Sequence, residues 1–68
     1  MNVVVNGEPR ALPGEATVAS AVAAAGEDPA GRGLAVAVDG DVVPRGQWEE
    51  RSLEDGQRVE VLRAVQGG

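Results

Sequence analysis

The sequence QRVEVLRAV at residues 57–65 decides the fold, because it reads as a strand with apolar side chains on both faces. Val59 and Val61 would lie on one face, and Leu62 and Ala64 would lie on the other. Apolar residues on both faces are expected of a strand inside a sheet rather than at its edge. We therefore expect this strand to occupy the middle of a sheet.

A second strand of this kind is predicted at residues 1–6, where three valines follow one another. Asn6-Gly7 is a favoured dipeptide of two-residue hairpin turns, since both positions tolerate positive φ. The returning strand, residues 8–12, contains Pro9. Proline lacks an amide donor, so this strand is expected at a sheet edge.

A short helix is predicted next, with Thr17 as its N-cap and Gly26 at its end. Its apolar face would carry Val18, Ala21, Val22 and Ala25. The following residues, 27–33, have the composition of a loop, and we expect them to be the most mobile part of the folded body.

Two further strands, residues 34–38 and 41–43, would be joined by an Asp39-Gly40 hairpin turn. Trp48, the only aromatic residue, is expected to cap the edge of the small core. A place in a binding interface is the alternative, because tryptophan is frequent among binding hot spots.

The predicted order is strand, strand, helix, strand, strand, strand. A right-handed crossover sets the first and last strands parallel and adjacent, with Val3, Val5, Val59 and Val61 toward the helix. This is the α+β arrangement of a β-grasp fold, a mixed sheet of about five strands with one helix on one face. Residues 1–65 would form the β-grasp body, and residues 66–68 a flexible tail.

The face of the sheet without a helix is predicted to be a docking surface, because apolar patches on monomers usually mark interaction sites. Scattered surface hydrophobic residues are the alternative interpretation. The predicted patch consists of Val4, Leu62 and Ala64, with Arg58, Glu60 and Arg63 around it, and its docking residues would be Val4, Leu62, Ala64 and Arg63.

The last residues, Gly67-Gly68, offer only one distinctive chemical group, the α-carboxylate of Gly68. A carboxylate becomes a good electrophile only after activation, usually by adenylation or phosphorylation. Two residues without side chains would also fit a narrow active-site channel. Chain ends are often made of small residues for no functional reason, so the dipeptide alone is a weak signal.

The composition excludes most catalytic sites, because the 68 residues contain no cysteine, histidine or tyrosine. We predict no catalytic residue, no metal site and no bound cofactor. The net charge of −5 disfavours nucleic acid and anionic membranes as partners. No apolar run approaches the roughly 20 residues of a membrane span, and we expect a cytoplasmic monomer.

The chain resembles the sulfur carrier proteins of thiamine biosynthesis, the ThiS family, in several stretches that together cover almost its whole length. These stretches are the strand and turn at residues 2–7, the run VVPRGQW at residues 42–48, Asp55-Gly56 and the terminal Gly67-Gly68. The spacing between Pro44-Arg45, Trp48 and the terminus is the specific part.

The resemblance implies a carrier cycle. An E1-like adenylating enzyme would use ATP to activate Gly68, and sulfur from a donor such as a cysteine desulfurase would convert it to a thiocarboxylate. Thiazole synthase would then take the sulfur. Gln66 and Gly67 would pass through the partner's channel.

Two alternative functions share the activation of the Gly68 carboxylate with this cycle. The first follows from Gln66, because family members often have a small residue at this position, and the difference bears on which adenylating enzyme accepts the tail. A carrier for another product, similar to the small subunit of molybdopterin synthase, is therefore one alternative. A ubiquitin-like conjugation tag is the other. A plain binding module, in which the tail has no function, is a third possibility.

Overall fold

The sheet is built on the parallel pairing of its first and last strands, β1 (Asn2–Val5) and β5 (Arg58–Arg63). In this computed structural model, which describes residues 1–64, Val4 pairs with Arg58 and Val5 with Val59. The parallel pair confirms the crossover predicted from the order of the elements.

Three more strands complete a five-stranded sheet in the order β2-β1-β5-β3-β4. They are β2 (Glu8–Ala11), β3 (Leu34–Val38) and β4 (Asp41–Val43). The helix α1 (Val18–Ala24) covers one face, and a single 3₁₀ turn (Arg45–Gln47) follows β4. This is the predicted β-grasp arrangement.

Both predicted hairpin turns have the backbone that their sequences favour. Asn6 and Gly7 have φ values of 50° and 80°, and Asp39 and Gly40 have values of 49° and 86°. Positive φ at both central residues is the mark of a type I′ turn. Pro9 lies in β2 at the edge of the sheet, as predicted, so its missing amide breaks no ladder.

The Asn6 side chain also makes two hydrogen bonds to β5, which its place in a turn did not indicate. Its side-chain Nδ2 donates to the Val61 carbonyl at 3.1 Å, and its Oδ1 accepts from the Val61 amide at 2.8 Å. The side chain therefore continues the β1–β5 ladder past the end of β1.

The core lies between α1 and the sheet and is made mainly of valine. Among residues 1–64 it contains no buried polar or charged residue. Trp48 is only 2% exposed, and its Nε1 donates to the Val43 carbonyl at 2.9 Å. The predicted core position of Trp48 is confirmed, and its indole compensates for the small side chains around it. The buried set includes Val3, Val5, Val18, Val22, Val36, Val38, Val43, Trp48, Leu53, Val59 and Val61.

Over the described residues 1–64, no helix has the length and apolar character needed to cross a lipid bilayer.

Replacing Asn6 by alanine is expected to lower the free energy of unfolding by about 1–3 kcal/mol, since two hydrogen bonds are lost and alanine disfavours positive φ. Asn6→Gly is the matched control, because it keeps the turn and loses only the amide. Both free energies follow from urea titrations. A glycine variant as stable as the original chain would mean that the bonds to Val61 contribute nothing.

Candidate functional site

Val4 and Leu62, which are predicted to belong to a docking surface, lie on the expected face of the sheet, away from α1. Val4 lies between the buried Val3 and Val5, so it points away from α1 and is half-buried. Leu62 follows the buried Val61 and is 59% exposed. Ala64, the last described residue, is also exposed.

Val4 and Leu62 nevertheless do not form one patch. The parallel register pairs Val4 with Arg58, and Leu62 lies four residues further along β5. At about 3.3 Å per residue this is a separation of about 13 Å. Arg58 and Glu60 occupy the same face in between, because alternate residues of a strand share a face. The single patch is therefore corrected to two separate regions, whereas a role in docking stays a prediction for each.

The apolar neighbours of Leu62 come from β3 and β4 instead. Ala35 pairs directly with Leu62, and Ala37 pairs with Val42, which is 75% exposed. We call Leu62, Ala35, Ala37 and Val42 the outer strip. Sequence reasoning missed Val42, although the Asp39-Gly40 turn fixes the register that places Val42 opposite Ala37.

Arg63 lies on the opposite face from Leu62, since the two residues are consecutive in β5. It pairs with Leu34, and its guanidinium forms an ion pair with Glu27, just beyond the end of α1. The predicted position of Arg63 beside the apolar patch is therefore corrected. Its docking role stays a prediction, but it would serve a different side of the body.

The rest of the predicted site, Gln66, Gly67 and Gly68, lies outside the described residues, as does Val65. The structure does show where the preceding residue is held. The Ala64 amide donates to the Gly33 carbonyl at 2.6 Å, one step beyond the last β3–β5 pair, Leu34 with Arg63. The described chain thus ends beside the loop of residues 27–33.

This loop is tied down by hydrogen bonds that its composition did not indicate. Arg45 donates to the carbonyl of Pro29 at 2.9 Å and to the carbonyl of Gly31. Asp28 Oδ1 accepts from the Ala30 amide at 2.9 Å. The sequence suggested only a mobile segment, because backbone acceptors for a distant arginine leave no trace in local composition.

The described residues offer no catalytic set. Two shallow depressions lie on the surface, one beside Arg45 and Trp48 and the other beside Val4 and Arg58. Their linings contain carboxylates and arginines but no nucleophile paired with a base.

Comparison with known families gives a match over almost the whole sequence. The model of the ThiS family matches residues 3–68, which include Val3–Val5 of β1, the Pro44-Arg45 and Trp48 segment and the terminal glycines. No protein of curated function matches the chain significantly.

Solved structures of a thiamine biosynthesis protein from Geobacter metallireducens have the same fold. Its crystal structure, titled ThiS, superposes with a TM-score of 0.78 at 28% identity and covers 100% of both chains. Its NMR structure gives a TM-score of 0.71 at 28% identity and covers 100% of this chain and 88% of the other. The likeness therefore extends to the complete β-grasp body.

Proposed function

This chain belongs to the ThiS family, and we propose that it is a sulfur carrier of thiamine biosynthesis whose reacting group is the carboxylate of Gly68. The observation that carries the proposal is the family match, which runs to Gly68 itself. The thiamine biosynthesis protein of G. metallireducens, alike in fold over its full length, supports the same pathway.

The proposed chemistry converts the Gly68 carboxylate to a thiocarboxylate in three steps. An E1-like adenylating enzyme joins the Gly68 carboxylate to the AMP part of ATP and releases pyrophosphate. A sulfur nucleophile, such as the persulfide of a cysteine desulfurase, then displaces AMP. Attack by a second thiol on the resulting acyl persulfide leaves the thiocarboxylate on Gly68 and a disulfide on the donor.

The thiocarboxylate is the form in which thiazole synthase receives the sulfur. The carrier contributes the electrophile and its position, and its partners contribute ATP, the sulfur and the acid–base groups. This division agrees with a sequence that contains neither cysteine nor histidine. Since the cycle uses ATP, we place it in the cytoplasm.

The outer strip is the surface on which we propose that the adenylating enzyme docks. Leu62 and Val42 are the large exposed hydrophobic residues of the described chain, and two alanines connect them. Leu62 also lies two residues before Ala64, so a partner bound there is beside the start of the tail. Ala64 would extend this surface. Val4 would contact a partner at the second region of the same face, whereas Arg63 would do so from the side of α1.

Intact-mass spectrometry tests the carrier cycle. After incubation with an adenylating enzyme, ATP and a sulfur source, the mass should rise by the difference between one sulfur and one oxygen atom. A chain ending at Gly67 is the matched control and should keep its mass if Gly68 is specifically required.

Two other results would contradict the proposal. An unchanged mass, with the enzyme active on another carrier, would exclude sulfur transfer through this chain. Covalent adducts on lysines of other proteins that survive reducing agents would instead identify a conjugation tag. Transfer of the sulfur to molybdopterin rather than to thiazole would keep the carrier chemistry and change the pathway.

Leu62→Ser is expected to raise the KM of the adenylating enzyme for the carrier by about tenfold or more, because a central apolar contact is lost. Its kcat and the thermal stability of the carrier should change little, since Leu62 is 59% exposed. Val4→Thr measures the other region separately. An unchanged KM for Leu62→Ser would exclude the outer strip as the docking surface.

A further inference from the structure

The end of β5 is attached to loop 27–33 at two points. The Ala64 amide donates to the Gly33 carbonyl at 2.6 Å, and the Arg63 guanidinium forms an ion pair with Glu27. These contacts use both ends of the loop. The position of Ala64 therefore depends on where the loop lies.

The loop has a backbone that does not hold itself in place by packing. Gly33 has a φ of +75°, and a Cβ added at Gly31 would come within 2.9 Å of the Asp28 carbonyl oxygen. Of residues 27–33, none belongs to the buried core. Hydrogen bonds hold it instead, and two of them lie within the loop, where the Gly31 amide donates to the Asp28 carbonyl at 2.7 Å and the Ala30 amide donates to Asp28 Oδ1 at 2.9 Å.

Arg45 connects this loop to the folded body, because one guanidinium donates to the carbonyls of both Pro29 and Gly31. The same guanidinium lies over the Trp48 ring, with its carbon 4.5 Å from the ring centre. Trp48 is itself buried and hydrogen-bonded to Val43. A continuous set of contacts thus connects the rigid core with loop 27–33 and, through Gly33, with Ala64.

From this arrangement we infer that Arg45 is a positioning residue for activation of the tail. By holding loop 27–33 against the core it fixes Ala64, the residue that precedes residues 65–68 in the chain. This inference rests on the proposed carrier function. The inference gives the segment that contains Pro44-Arg45 and Trp48 a role in the reaction, in addition to its resemblance to the family.

The fixed starting point matters because the tail is short. Four residues span at most about 14 Å when fully extended, so the position of Ala64 limits how far Gly68 can reach into the partner's active site. Small misplacements of a reacting group can cost about a hundredfold in rate. The outer strip, where we propose that docking occurs, lies on the face of the sheet away from α1. A defect in positioning should therefore change kcat, and a defect in docking should change KM.

Steady-state kinetics of adenylation separate the two roles. With pyrophosphate release as the readout, Arg45→Gln should lower kcat at saturating carrier by about tenfold or more and leave KM nearly unchanged. Arg45→Lys keeps the charge and most of the side chain, but an ammonium lacks the planar fork that donates to two carbonyls. It should therefore be impaired in the same constant, even if the glutamine variant folds poorly.

Amide hydrogen exchange supplies a readout that needs no partner. In both Arg45 variants the Ala64 amide should exchange faster, whereas the Val61 amide, which is bonded to Asn6, should not change. A general loss of stability would accelerate both amides and would count against positioning.

The possible failures are distinguishable. If the original chain is adenylated and the Arg45 variants match its kcat, the positioning role is wrong and the carrier function stands. A rise in KM alone would also overturn the inference, because it would place Arg45 in docking. If the original chain is not adenylated at all, the carrier function fails, and the positioning role fails with it.

Discussion

The parallel pairing of β1 with β5 is the constraint on which the rest of the structure depends. Parallel neighbours require a long crossover, and here the chain between them provides the helix that covers one face and the two strands that complete the other edge. Beyond β1 the pairing continues through Asn6, whose main-chain amide donates to the Val59 carbonyl and whose side chain binds both polar main-chain groups of Val61. In the described residues after Val61, β5 pairs with β3 alone. The chain then continues to the terminal residues, on which the proposed chemistry occurs.

A core of valine and alanine gives this domain little apolar volume, and Trp48 compensates for it. The indole is buried and hydrogen-bonded to Val43, and its ring also carries the guanidinium of Arg45. One segment of seven residues, 42–48, therefore contributes to the outer strip, to the core and to the support of loop 27–33.

Local patterns predicted most of the fold. Consecutive valines, the Asn6-Gly7 and Asp39-Gly40 turns and Pro9 at an edge each follow from short stretches of sequence, and the structure confirms them. The candidate site was less predictable, because it depends on register and on distant partners. Alternation placed Val4 and Leu62 on one face, but only the pairing of Val4 with Arg58 separates them. The contacts of Arg63 with Glu27 and of Arg45 with loop 27–33 join residues far apart in sequence.

The central claim is that a folded body keeps its structure while chemistry occurs at Gly68 alone. Carbon-13 NMR of a carrier labelled at its glycine carbonyls tests this most directly, during reaction with the adenylating enzyme, ATP and a sulfur source. The account predicts that the Gly68 carbonyl signal moves to the position of a thiocarboxylate, while the signals of glycines in the body, such as Gly7 and Gly40, stay in place. An unmoved Gly68 signal in a sample that has taken up sulfur would contradict it.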